Sequence, residues 1–425
     1  MAKFFILILT LIFFAIHPAR AEVSSSLAES HFKKYLSALY QVESVSVQSN
    51  KKNSVGTGFQ ISPQGHIVTN YHVVADSIIS PESFHIRVFM SDGSEQTAGI
   101  VNFDVVHDLA IIQIKSPSAV IFPLGSSEMS NGKKIFSIGN PLDLGMTIME
   151  GLSNGYMDKT LYKKMLTTLS LNHGMSGGPT IDEDGSVVGV NVAIAGNALS
   201  FLVPIEFLEE LWQKVQAGGR GASASSTYQI EKQLIAQEDL YIGSMLGRPW
   251  EKQRFGDFIV PSAISKEFTC WGSPGDNVAV WITEPSLQCE IKDDLYISSS
   301  VSAHAVSFNY SWIQSREYDP FRFYYLADLR VSSGYRFELD SAGEKDVENF
   351  KCRSDIVNIA HNPFWVSTCT RQLKKLTQLY DVNVRMASLG EPREMLVVEL
   401  TLGGLTQASI KAFLDKFYRE IQWQK

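Results

Sequence analysis

From about residue 43 to 201 the chain is written in short β-type runs separated by turn residues, and no other feature narrows its fold as much. Residues 58–61, 67–69, 85–89, 109–114, 135–138 and 187–194 are each a few positions long and rich in β-branched and aromatic side chains. Ser62-Pro63-Gln64-Gly65, Asp92-Gly93 and Asp184-Gly185 supply turn chemistry between them. Short strands repeating in this way predict a barrel or a sandwich.

Different patterns flank this stretch. Ser26-Leu27-Ala28-Glu29 fits a capping box, and Leu27, Phe32, Tyr35, Leu36 and Leu39 predict a short amphipathic helix within residues 22–42. Another helix is expected from Pro204, where Ile205, Leu208, Leu211 and Val215 recur at helical spacing. The small, glycine-rich segment 217–227 then reads as a linker. The chain thus divides into residues 43–216 and a second domain, residues 228–425. The latter should open with a helix over 228–246 and continue with strands at 278–282, 305–312, 321–329 and 396–402. Val382, Val384 and Met386, followed by Gly390 and Pro392, predict one arm of a hairpin. Thr406 can cap a helix whose Ile410, Phe413, Leu414, Phe417 and Ile421 share one face. This half is expected to be α+β, autonomous in folding and without catalytic residues.

The N-terminus carries an address. Lys3, an apolar run over residues 4–16 and Ala19-Arg20-Ala21 predict a signal peptide of residues 1–21, too short in its apolar part to span a bilayer. Its removal takes away Lys3 and Arg20 and no acid, so the net charge moves from −8 to −10. An acidic chain without a basic stripe argues against a nucleic-acid partner. No second long apolar run follows, so no membrane span is expected after cleavage, and the protein should be periplasmic or secreted. Cys270, Cys289, Cys352 and Cys369 are an even set in an exported chain, which favours disulfides. Three pairings are possible; Cys270–Cys289 and Cys352–Cys369 close the shortest loops and are the pairing expected.

Chemistry concentrates before the linker. In Gly174-Met175-Ser176-Gly177-Gly178-Pro179 a serine sits in a turn that glycines can tighten. A serine hydroxyl becomes a nucleophile only when a base takes its proton. His72, after the apolar 67–69 run, is the expected base, and Asp108, just before another buried run, is the expected partner that orients it. The N–H groups of Gly174 and Ser176 can converge on a developing oxyanion. His66, His85, His107 and His173 read as structural or surface residues, and Asp76 and Asp104 as solvated ones. No zinc motif or P-loop is present, so no metal or organic cofactor is expected.

These segments together resemble the protease domain of the HtrA/Deg family of chymotrypsin-like peptidases. The likeness is carried by Gly56-Thr57-Gly58-Phe59, residues 67–74, residues 108–112, Ile138-Gly139-Asn140-Pro141 with Leu144-Gly145, residues 174–179 and residues 188–194. The resemblance implies a mostly β fold of two six-stranded barrels, with endoproteolysis of exposed or unfolded polypeptide. It also implies a shallow pocket whose base involves the neutral Ser170. Residues 225–425 do not resemble the PDZ domains common in that family, so its oligomeric state and peptide-activated regulation are not carried over. A chaperone-like peptide-binding protein with a resting protease domain is the alternative reading.

Overall fold

The computed structural model describes residues 26–196, 199–219, 226–277, 282–293, 295–315, 317–333 and 342–424. The expected signal peptide, residues 220–225 of the linker and most of the 278–282 strand candidate lie outside the described residues.

Helix α1 (Leu27–Tyr35) begins at Ser26, whose hydroxyl accepts the Glu29 N–H at 3.2 Å. The chain then enters β1 (Leu39–Ser46), β2 (Lys52–Gln60) and β3 (His66–Thr69), turns through helix α2 (Tyr71–Ile79), and continues into β4 (Phe84–Phe89), β5 (Glu95–Asp104) and β6 (Leu109–Gln113). These six strands close an antiparallel barrel in the order β1-β2-β3-β6-β5-β4. A second set, β7 (Lys134–Gly139), β8 (Thr147–Tyr156), β9 (Met165–Thr167), β10 (Pro179–Ile181), β11 (Val187–Gly196) and β12 (Leu199–Pro204), closes another in the order β10-β11-β12-β9-β8-β7. Closure removes the exposed edges that short strands would otherwise present. Helix α3 (Ile205–Gln216) follows Pro204 and lays Ile205, Leu208 and Leu211 on a core shared with Tyr35, Phe122 and Phe136. The Tyr35 and Phe122 rings stack at 4.2 Å, and the Tyr35 hydroxyl donates to Gly185 O at 2.9 Å, tying α1 to the second barrel.

Beyond the linker, α4 (Ser226–Leu246) leads to a nine-stranded antiparallel sheet. Its central strands are Ala305–Gln314, Glu394–Thr406 and Leu379–Ser388, and the last two form the hairpin that Val382, Val384 and Met386 announce. Residues 321–329 are not a strand. They lie within α5 (Pro320–Ser333), because the Asp319 carboxylate accepts the N–H groups of Phe321 and Arg322 and starts a helix. Phe323 and Ala327, four residues apart, are then buried together. Helix α6 (Gln407–Glu420) starts at Thr406, whose hydroxyl accepts the Ser409 N–H, and packs Phe413 and Phe417 against Trp250, Phe308 and Tyr310. Disulfides Cys270–Cys289 and Cys352–Cys369 each join residues directly opposite one another on neighbouring strands.

The two halves share one hydrophobic core. Val74, Ala75 and Ile78 of α2 pack in the same cluster as Ile230 and Leu234 of α4, Leu295, Ile297 and Leu379. Polar contacts match this packing. Gln233 accepts the Val105 N–H at 2.8 Å and donates to Phe103 O at 3.1 Å. Glu238, wholly buried, accepts the Thr406 N–H and hydroxyl, so α4 is bonded to the first barrel on one side and to the start of α6 on the other. Among the described residues no helix is long and apolar enough to cross a membrane.

Candidate active site

Asp108 lies between β5 and β6 in the left-handed region, at φ 54°, a conformation that costs a non-glycine residue energy and persists only where neighbours hold it. Here they do. Its carbonyl accepts the Tyr71 N–H at 3.1 Å and the Asn70 side-chain amide at 2.8 Å. One carboxylate oxygen accepts the His72 backbone N–H at 2.8 Å, and the other lies 2.7 Å from His72 Nδ1. Asp108 therefore grips three consecutive residues at the start of α2. With Nδ1–H donating to the carboxylate, the lone pair of the imidazole sits on Nε2. Burial pulls the His72 pKa down, but the charge and hydrogen bond of Asp108 outweigh it, and the net shift is upward from 6.5.

Ser176 lies in the turn before β10, and three glycines make that turn possible. Gly174 has φ +92°, and a Cβ there would stand 2.3 Å from Asn140 O. Gly177 has φ +83°, and a Cβ added to it would lie 2.4 Å from Thr57 O; one on Gly178 would meet Ile138 O at 2.2 Å. Side chains are excluded at all three. The His173 carbonyl is held by the Leu142 N–H at 2.7 Å, which turns the N–H of the same trans peptide unit, that of Gly174, the other way. Among the described residues the N–H groups of Gly174 and Ser176 have no acceptor. The Ser176 hydroxyl donates to Val192 O at 3.2 Å rather than to His72.

Two residues that sequence reasoning did not single out as functional hold this turn. The Thr57 N–H donates to Ser176 O at 2.8 Å, and its hydroxyl donates to Gly174 O at 2.7 Å while accepting the Asn140 N–H at 3.0 Å. Asn191, fully buried, accepts from Ser137 and Thr180 and donates to Met175 O and Ile138 O. The signal for both was a polar residue inside an apolar β run. A third, Tyr296, comes from the second half: its ring stands edge-on to the His72 imidazole at 5.8 Å.

The remaining candidates lie apart. Ser170 is exposed, and its carbonyl accepts the Asn172 amide at 3.3 Å. His66 bonds Ser62 at 2.6 Å, His85 lies half-exposed on β4, and His173 is exposed. His107 stacks on Phe207 at 3.7 Å and pairs with Asp104 at 2.8 Å. Asp104 is thus a half-buried partner and not a solvated acid; burial raises its pKa, but His107 outweighs that and the net shift is downward. Asp76 is likewise engaged, by the Asn53 amide. Among the described residues no group of three or more His, Cys, Asp or Glu side chains is placed to hold a metal ion.

Two closed antiparallel barrels, with a serine turn in one and a histidine–aspartate pair in the other, define the trypsin-like class of serine peptidase domains. Residues 56–190 match the family described as Trypsin-like peptidase domain. Protease Do-like 1, chloroplastic, of Arabidopsis thaliana is 32% identical over 167 residues, which are 36% of this chain and 37% of that protein. A probable periplasmic serine endoprotease DegP-like of Chlamydia pneumoniae is 35% identical over 153 residues, 35% of this chain and 30% of its own length. The solved structure of Deg5 is 26% identical and overlaps 45% of this chain and 94% of its own, at a TM-score of 0.39. The first half of the chain is an HtrA/Deg-like serine protease domain. The match spans about a third of the length of these two sequence relatives.

Proposed function

We propose that the protein is a periplasmic or secreted serine endopeptidase that cleaves exposed or unfolded polypeptide, with residues 43–216 as its catalytic domain and residues 228–425 as an accessory region. The observation that carries this reading is the pairing of His72 with Asp108 beside a serine turn whose two backbone donors are unpaired. Ser176 Oγ leaves Val192 O, passes its proton to His72 Nε2 and attacks the carbonyl carbon of the scissile bond. Negative charge collects on the carbonyl oxygen, where the Gly174 and Ser176 N–H groups receive it. The C–N bond breaks as His72 returns the proton to the leaving amine, and water, activated by the same imidazole, releases the acyl group. Asp108 holds the tautomer and stabilises the imidazolium throughout. Ser170, neutral and six residues before the nucleophile, suits a pocket for small aliphatic side chains.

Casein digestion followed by mass spectrometry of the products tests the whole assignment. Ser176→Ala is expected to lose about 10⁴-fold or more of turnover and all labelling by a fluorophosphonate, with the fold retained. Cuts should fall after Val, Ala or Ile; cuts concentrated after Lys or Arg would remove Ser170 from the pocket. Near-normal proteolysis by Ser176→Ala would end the peptidase reading. The Ser176–Val192 hydrogen bond is what favours the second reading, a chaperone-like protein with a resting domain, and unlabelled, inactive wild type would select it.

A further inference from the structure

Asp293 and residues 295–303 are far from the barrels in sequence, yet they reach both of them. The strands Leu295–Ser298 and Val301–Ala303 form their own small hairpin, separate from the nine-stranded sheet. It lies on α2, the helix that begins with Tyr71 and His72. Tyr71 is completely buried, and its hydroxyl donates to Ile297 O at 3.1 Å. The neighbouring Tyr296 turns its ring to the His72 imidazole, edge to face, at 5.8 Å and 69°. The other end of the segment is staked to the second barrel. Asp293 pairs with Lys164 at 2.7 Å and accepts the Leu161 N–H at 3.2 Å, both in the connection between β8 and β9. The Lys164 and Asp293 side chains are 11% and 17% exposed, so this is not a surface ion pair of little consequence.

We propose that Tyr296 is a positioning residue for His72, delivered by a strap that the second half of the chain lays across both barrels. The proposal rests on the reading of Ser176, His72 and Asp108 as a triad. An imidazole bonded through Nδ1 alone can still rock about that bond, and displacement of Nε2 by about 1 Å costs roughly 100-fold in rate. A ring packed at its edge restricts that rocking without competing for either nitrogen. The contact is one between rings, so the ring and not the hydroxyl is the part that the proposal needs. Burial, with the charges of Asp76 and Asp108, holds the Tyr296 phenol well above its ordinary range, so the ring stays neutral at every working pH. The anchor at Tyr71–Ile297 then fixes the helix, and the stake at Asp293 fixes the height of the hairpin over the cleft.

The test measures the second-order rate of fluorophosphonate labelling of the full-length protein against pH, together with kcat and KM on a peptide. Wild type and Ser176→Ala come first: if wild type does not label in a Ser176-dependent way, the triad reading fails, whatever Tyr296 does. With that labelling present, Tyr296→Ala should fall about 10- to 100-fold, in kcat and not in KM. Its acid limb should move to higher pH, because readmitted water relieves the burial that holds the His72 pKa down while the 2.7 Å bond to Asp108 persists. Tyr296→Phe, which keeps the ring, should restore both the rate and the limb. Asp293→Asn, which loosens the stake without touching the ring, should lose rate in the same direction by a smaller factor, and it carries the test if Tyr296→Ala does not fold. A Tyr296→Ala protein with wild-type rate and limb overturns the proposal, as does a Phe variant as slow as the Ala one. An Asp293→Asn protein indistinguishable from wild type overturns the strap.

Discussion

Asp108 does two separate things with one side chain, and both bear on pH. One oxygen holds the backbone of His72 and the other holds its ring, so the acid sets where the imidazole is and which nitrogen is free. Because the net effect raises the His72 pKa above 6.5, peptidase activity should fall on the acid side with a midpoint above that value. Asp108→Asn leaves burial without its counterweight: the midpoint should drop below 6.5, and turnover should fall about 10⁴-fold. The stability consequence follows in sign. A pKa raised on folding contributes stability that is present below the unfolded value and lost as pH rises through the folded one. Thermal unfolding should therefore show Asp108→Asn destabilised more at about pH 5 than at about pH 9. A midpoint unmoved by the substitution would remove Asp108 from this role. At this scale the sequence was informative wherever a residue type has few uses. A serine among glycines and a histidine after an apolar run stand out, whereas Thr57 and Asn191 are ordinary β-run polar residues until the backbone shows what they hold.

Among the elements, the turn from Gly174 to Gly178 is the most tightly specified. Its carbonyls are bonded to Thr57 and Asn191, and its glycines face neighbouring backbone at distances no side chain tolerates. Gly174→Ala must either strain its left-handed backbone or move away from Asn140 O. Either way the first oxyanion donor is displaced, and kcat/KM should fall by about 10²- to 10³-fold. A Gly174→Ala protein with wild-type kcat/KM would show that this N–H is not a donor to the reaction. The barrel strands were legible because residues such as 67–69 and 135–138 alternate with strong turn signals. Residues 321–329 were not, since aromatic residues suit strands and helices alike; the deciding atom, the Asp319 carboxylate, lies just outside that window.

For the whole molecule, the linker composition at 217–227 suggested two bodies, and a chain ending near Ala217 would then keep its reactivity. The shared core predicts otherwise. Such a chain would uncover Val74, Ala75 and Ile78 on α2 and leave the Tyr71 hydroxyl without its acceptor. Its melting temperature and its fluorophosphonate labelling are both expected to fall below those of the full chain, and full labelling at full rate would argue for independence after all. The partnership could not be read from the sequence because its residues, such as Leu295, Ile297 and Leu379, are common apolar positions in a strand-rich stretch. Nothing local marks them as facing another half.

The strap also puts the enzyme on a clock. A ribosome issues the chain from residue 1 onward, and regions generally fold as they emerge. The three residues proposed as a triad are therefore in hand long before Tyr296 exists, and on this proposal the histidine waits for its brace through the synthesis of more than half the polypeptide. A newborn chain is in this sense an unfinished blade: it carries the edge early and receives the mounting that steadies it only after more than two thirds of the chain is made.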